Sequence, residues 1–150
     1  CTDVEDVTLA DLHEGSGRPY AACEEVWVLD HEFVPVEGEF GPLEAAEWGR
    51  SLASVPEHQS EALCAWVRSG DYVAEGTGDL PSISDFEDRY CGEWESWADY
   101  VATLVEDLSL FDALPADLRT YIDLERYGRD LAHGYTVEDS PGGVYVFHSC

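Results

Sequence analysis

Lysine is absent from this 150-residue chain, and so are asparagine and methionine. Seven arginines stand against 33 Asp and Glu, for a formal net charge of −26. So few dispersed cations exclude direct nucleic-acid binding, which needs Lys and Arg to neutralise phosphates. No run of 18 apolar residues occurs, so no membrane span is expected. The N-terminus lacks a basic stretch followed by an apolar one, so no secretory signal is expected either. The five cysteines at 1, 23, 64, 91 and 150 are odd in number and form no C-x-x-C pair. They read as reduced thiols of a cytoplasmic protein, with disulfides the alternative. Histidines 13, 31, 58, 133 and 148 are scattered, with no H-E-x-x-H, EF-hand loop or Cys/His knuckle, and His31-Glu32 is a lone pair. No metal or cofactor site is expected. Glycine-rich nucleotide loops and the G-x-S-x-G elbow are also missing. Carboxylate pairs arise by chance among 33 acids, so they carry no glycosidase argument. The chain reads as a non-enzyme.

What remains is charge on a folded body. The sequence is 45% apolar and 12% aromatic, enough to build a core and to set disorder aside. The charge is spread evenly. Residues 1–22 carry five acids and one Arg, residues 23–78 twelve and two, residues 79–150 sixteen and four. No acidic tail accounts for the total. B-DNA carries one negative charge per ~1.7 Å of axis, so this charge matches about 44 Å of duplex. Two readings follow: a surface that copies the charge density of DNA, or a halophilic acidic scaffold whose carboxylates only confer solubility.

The pattern along the chain is α+β and helix-rich, with three segments. Residues 1–22 look weakly structured, with a break at Gly15-Ser16-Gly17 and Pro19. Residues 23–78 form a middle module. It opens with short strands at Val26–Leu29 and, more weakly, Phe33–Val36, and continues with helices over 43–54 and 57–69. Gly41-Pro42 opens the first helix and Gly70 closes the second. Thr77–Pro81 reads as a linker, followed by a C-terminal module over 79–150. There Ser84 with Glu87 predicts a capping box for a helix carrying Phe86 and Tyr90 and ended by Gly92. Ser96 caps the next helix, with Trp97, Tyr100, Val101, Leu104, Val105 and Leu108 on its apolar stripe. Pro115 and Asp123 introduce further helix, with Leu124, Tyr127 and Leu131 inward. A hairpin closes the chain, Tyr135–Asp139 and Val144–Phe147 about a Ser140-Pro-Gly-Gly143 turn. Trp97, Tyr100, Tyr121 and Tyr127 are read as core.

Three stretches of the second half carry a family resemblance. They are Gly92-Glu-Trp-Glu-Ser-Trp-Ala-Asp-Tyr-Val101, Leu114-Pro-Ala-Asp-Leu-Arg-Thr-Tyr-Ile-Asp-Leu-Glu-Arg-Tyr-Gly-Arg-Asp-Leu131 and Gly143-Val-Tyr-Val-Phe147. Together they resemble the ArdA family of antirestriction proteins, the run Tyr121–Leu131 most specifically. Glu25–Asp30 and Gly38–Ala45 are similar to the family's middle strand and helix. The resemblance covers residues 23–148; residues 1–22 show no recognisable counterpart of the family's strand-rich N-terminal module. It implies an elongated, acidic homodimer that mimics bent B-DNA and occupies the DNA groove of type I restriction-modification enzymes. Another DNA-binding defence machine, such as a CRISPR effector, is the alternative target.

Helical geometry gives this implied role a physical basis. Residues one turn apart lie ~5.4 Å apart along the axis, near the spacing of successive phosphates on a strand. The candidate phosphate stand-ins are Asp85, Asp88, Glu93, Glu95, Asp99, Glu106, Asp107, Asp117, Glu125 and Asp130. For any single one an ordinary solvated face is the competing reading. Asp123 is set apart as a helix N-cap and Glu87 as a capping-box partner, and Arg126 and Arg129 are expected to blunt Asp130.

Overall fold

The computed structural model describes residues 7–13, 27–28, 34–36, 38–39, 41–75, 79–119 and 121–149. Helices alternate with two small antiparallel sheets, the α+β, helix-rich class that the pattern predicts. The chain divides into two compact units, Cys1–Phe86 and Glu87–Cys150.

The first unit opens on a short helix, α1 (Leu9–His13), where weak structure was expected. Thr8 explains it. Its Oγ1 accepts from the Asp11 N–H, and the Asp11 carboxylate accepts from the Thr8 N–H at 2.9 Å, a reciprocal N-terminal cap. Two longer helices, α2 (Pro42–Ser54) and α3 (Glu57–Ser69), pack on each other and match their expected spans. Pro42 supplies a preset φ at the first turn of α2, and the Glu44 carboxylate accepts from the Gly41 N–H at 3.0 Å. Ala45, Ala46 and Trp48 on α2, with Ala62, Leu63, Trp66 and Val67 on α3, are buried. Small residues beside two indoles let the helices approach while the rings supply apolar area. Phe86 is fully buried, with its ring 5.8 Å from that of Trp66.

Three further expectations in this unit change. Pro35 and Val36 lie in a bend rather than a strand; Val28 forms an isolated bridge, and Val26, Leu29, Phe33, His31 and Glu32 lie outside the described residues. Leu80 and Pro81, expected in a linker, form β2 (Leu80–Pro81), paired antiparallel with β1 (Ala74–Glu75). Helix α4 (Ile83–Arg89) starts before Ser84, so no Ser84–Glu87 box forms. Ser82 stands ahead of the helix: its carbonyl accepts from Phe86 N–H at 3.0 Å, and its hydroxyl bonds that of Ser84.

The second unit is a three-stranded sheet covered by helices. Its elements are β3 (Tyr90–Trp94), α5 (Trp97–Asp107), α6 (Ala116–Arg119), α7 (Leu124–Leu131), a 3-10 turn at Ala132–Gly134, β4 (Tyr135–Ser140) and β5 (Gly143–His148). Strand order is β3-β5-β4, with the C-terminal hairpin in its expected register. β3 is the largest departure from the sequence reading. The Phe86 and Tyr90 spacing suggests one helix, but Tyr90–Trp94 pairs with β5, a partner far along the chain that local pattern cannot reveal. Gly92 accordingly ends no helix. It sits at φ +106°, where the register slips between Tyr90 and Gly92, a bulge that favours glycine. Ser96 caps α5 as expected, its Oγ accepting from Asp99 N–H at 3.2 Å.

Tyr100, Val101 and Val146 form the core of this sheet face, joined by half-buried Trp94, Trp97, Val144, Tyr135 and Leu131. Trp94, Trp97, Tyr100 and Tyr135 make a continuous aromatic cluster with centroid separations of 5.3 to 5.4 Å. Such pairs contribute about 0.5–1.5 kcal/mol each beyond their area. The Trp97 indole donates to the Gly128 carbonyl at 3.0 Å, and an added Cβ at Gly128 would lie 3.4 Å from that indole nitrogen. Glycine there lets α7 lie against α5. Leu108, Leu124 and Tyr121 are not core: they are exposed, Tyr121 to 84%. Helix α5 ends at Asp107, so Leu108 leaves its stripe.

Gly143 is the tightest point of the sheet. At φ +148°, a Cβ there would stand 2.2 Å from the Trp94 carbonyl oxygen. Gly143→Ala should therefore destabilise the second unit by about 3 kcal/mol. Gly134→Ala, where nothing lies within 4 Å, should change little. Urea unfolding of the two variants, followed by tryptophan fluorescence, checks the contrast.

Candidate anionic surface

No charged residue is buried among the described residues, so their acidity is a property of the surface. Of the ten candidate carboxylates, Asp85 belongs to the first unit and the other nine to the second. Asp85 and Asp88 lie one turn apart on α4, Asp85 half-buried and Asp88 exposed. Glu93 is exposed on β3, and Glu95 is exposed in the turn after it. Asp99 and Glu106 share one face of α5, seven residues or ~10.5 Å apart along the axis, and Asp107 follows at its end. Asp117 is exposed on α6; Glu125 and Asp130 are exposed on α7.

Several of these groups also hold the fold. One Glu93 oxygen accepts from the Ser140 hydroxyl at 2.7 Å and from the Gly142 N–H at 3.0 Å, tying β3 to the hairpin turn. The Asp99 carboxylate accepts from the Ser96 hydroxyl at 2.5 Å, completing the α5 cap. Asp123 Oδ1 accepts from the Arg126 N–H at 2.9 Å, the N-cap that the sequence assigns to it. Asp130 departs from expectation, since no ion pair with Arg126 or Arg129 forms. Glu87 is exposed within α4 and caps nothing. The ion pair Arg119–Asp112, at 3.3 Å, lies at the surface and is worth ~0–1 kcal/mol.

Sequence reasoning passed over other surface acids. Glu57 and Glu61 lie four apart on the exposed side of α3, opposite Ala62, Leu63 and Trp66. Their spacing against that apolar stripe was the available signal. Glu138 and Asp139 lie on β4; Glu138 and Glu93 pair with the same residue, Tyr145, from opposite sides of β5, so both carboxylates stand on one sheet face. Only the register of the three strands reveals that juxtaposition. Partial burial raises the Glu138 carboxyl above its usual range, and neighbouring Asp139 adds to the shift. Burial likewise raises the Cys64 and Cys91 thiols, neither of them in a disulfide, and the Tyr100 phenol, whose neighbours Tyr135 and Cys91 add to the shift. Cys1, Cys23 and Cys150 lie outside the described residues. No helix among the described residues is long and apolar enough to cross a membrane.

The described surface thus presents carboxylates on helices and on strands β3 and β4. The sequence model of antirestriction protein ArdA matches residues 1–146. The chain belongs to the ArdA family of antirestriction proteins. The ArdA match includes residues 1–22, where the sequence showed no counterpart, so family likeness extends to the front of the chain. ArdA proteins are inhibitors rather than enzymes. No curated protein matches the chain.

The Glu138 environment makes stability depend on pH. Its folded-state pKa lies above the unfolded value, so the folded state holds the proton more tightly. Stability from this group is present below the ordinary glutamate range and is lost as pH rises through the raised value. Glu138→Gln should flatten that slope, measured as urea midpoints across the mildly acidic range.

Proposed function

We propose that this ArdA-family chain is a catalytically inert DNA mimic that inhibits a DNA-binding defence enzyme by occupying its DNA groove. Type I restriction-modification is the target class. The observation that carries the reading is the surface: −26 net charge with no charged residue buried among the described residues, in a chain of an antirestriction family. Electropositive DNA grooves bind phosphates through Lys and Arg contacts that carry no sequence information. Carboxylates fixed on short helices offer the same acceptors. The candidates are Asp85, Asp88, Glu93, Glu95, Asp99, Glu106, Asp107, Asp117, Glu125 and Asp130. Glu93 and Asp99 use only part of their acceptor capacity in bonds within the chain, so they can serve both roles. The protein works in the cytoplasm, where its target acts, without metal or cofactor, and as a homodimer that doubles the anionic length offered to a groove.

Affinity built this way comes from many small contributions. Exposed ion pairs are worth ~0–1 kcal/mol each, so Asp107→Asn alone should barely change inhibition. Neutralising Asp88, Glu95, Glu106 and Asp107 together should weaken binding by about 3 kcal/mol, over 100-fold, with folding intact. The measurement is displacement of duplex DNA from a type I methyltransferase core. Inhibition should also weaken as salt rises, as DNA binding does. Undiminished DNA binding by that core at a large excess of this protein would remove type I enzymes as the target. Abolition by one isosteric substitution would point instead to a discrete pocket.

A further inference from the structure

Strand β4 is an open edge. In the order β3-β5-β4, no described strand lies on its outer side. The two-residue turn at Pro141-Gly142 makes Ser140 and Gly143 a hydrogen-bonded pair, so Glu138 and Thr136 also turn their backbone groups to β5. At the far end, the Ser149 N–H donates to the Gly134 carbonyl at 3.0 Å and continues the same alternation. The N–H and C=O groups of Val137 and Asp139 therefore point away from β5, toward the open side. Tyr135, next in that series, gives its N–H to the Ala132 carbonyl. Val137 and Asp139 are both exposed.

Open edges invite a further strand, and folds blunt them with lysine, proline, bulges or a covering element. The six residues of β4 contain no Lys or Pro, and their register with β5 is unbroken. What β4 carries instead is a carboxylate on each face, Glu138 opposite Tyr145 and Asp139 opposite Val144. An acidic strand, including one from a second copy, would meet repulsion on both faces. An extended segment bearing Lys or Arg would meet attraction on both, together with the outward backbone groups of two residues. We propose that the β4 edge docks an extended basic segment of the protein that this chain inhibits, by strand addition. Backbone bonds to Val137 and Asp139 set the register, and Glu138 and Asp139 select Lys and Arg. That the segment belongs to a DNA-binding enzyme rests on the groove-occupancy reading above; the edge itself does not. The contact is one that duplex DNA cannot make, since DNA has no strand edge to offer.

The test is amide hydrogen exchange of the full chain, read residue by residue by NMR. The probe is the blocked peptide Lys-Val-Arg-Val-Lys-Val at millimolar concentration, with Glu-Val-Glu-Val-Glu-Val as its control. The basic peptide should slow exchange at Val137 and Asp139 about tenfold or more and leave Glu138, whose N–H faces β5, unchanged. The acidic peptide should slow neither. A basic peptide that protects neither amide overturns the proposal, and so does equal protection by both peptides. Val137→Pro removes one outward N–H without touching charge or the β4–β5 ladder, and circular dichroism checks its fold. It should bind the basic peptide about tenfold more weakly, and unchanged binding by the folded variant overturns the docking. If that variant unfolds, the wild-type exchange pattern decides. A type I methyltransferase core separates the docking from groove occupancy. The bound core should slow the same two amides. A core that binds while Val137 and Asp139 exchange as in the free chain overturns the docking and leaves groove occupancy standing. A core that does not bind removes the groove reading for that enzyme, and the peptide alone then decides the edge.

Discussion

Twenty-six uncompensated charges constrain every other feature of this molecule. Like charges of that number oppose compaction, and a carboxylate taken out of water costs several kcal/mol unless it is paired. With seven arginines, pairing is not available for most of the 33 acids. The acids must stay wet, and the described residues bury none. Cohesion has to come from small, aromatic-rich cores behind thin helices and short strands. Trp48, Trp66 and Phe86 serve the first unit; Tyr100, Val101 and Val146, ringed by Trp94, Trp97 and Tyr135, serve the second. Large rings bury much area per residue, which suits elements that must give their other face to solvent.

The same carboxylates that create the repulsion are used locally to hold elements together. Asp123 caps α7, Asp11 and Glu44 reach back to the backbone at the starts of α1 and α2, the Asp99 carboxylate accepts from the Ser96 hydroxyl that caps α5, and Glu93 ties the hairpin turn to β3. A negative group at a helix N-terminus is favourable because the first N–H groups have no partner within the helix. Capping therefore places charge at fixed positions on rigid elements at a stabilising rather than a destabilising site. A carboxylate held in such a bond loses much of its side-chain freedom.

The arginines divide along similar lines. Arg119 is consumed by the loop that it closes, while Arg129 borders the apolar groove between α5 and α7 and Arg126 lines the polar concavity beside it. In an acidic chain a free cation is a more specific signal than any one carboxylate. It marks where the surface departs from its prevailing sign.

Local chemistry was legible wherever the deciding partners lie within a few residues. Pro42 and Gly70 bound α2 and α3, Ser96 and Asp123 cap α5 and α7, and Pro141-Gly142 sets the turn of the final hairpin, as their sequence positions indicate. Charge per length, and its spread over folded elements, also needed only the sequence. Tertiary structure decided what depends on distant partners. Tyr90–Trp94 became a strand because β5 offers it unpaired N–H and C=O groups, overriding a spacing that reads as helical. Tyr121 and Leu124 stayed exposed because no element of the described chain covers them, although their type and spacing suit a core. Glu93 and Glu138 share a sheet face only through the register of three strands. Caps and turns are short-range and are written in neighbouring residues. Strand pairing, burial and the juxtaposition of charges are long-range, and only the folded chain brings those residues together.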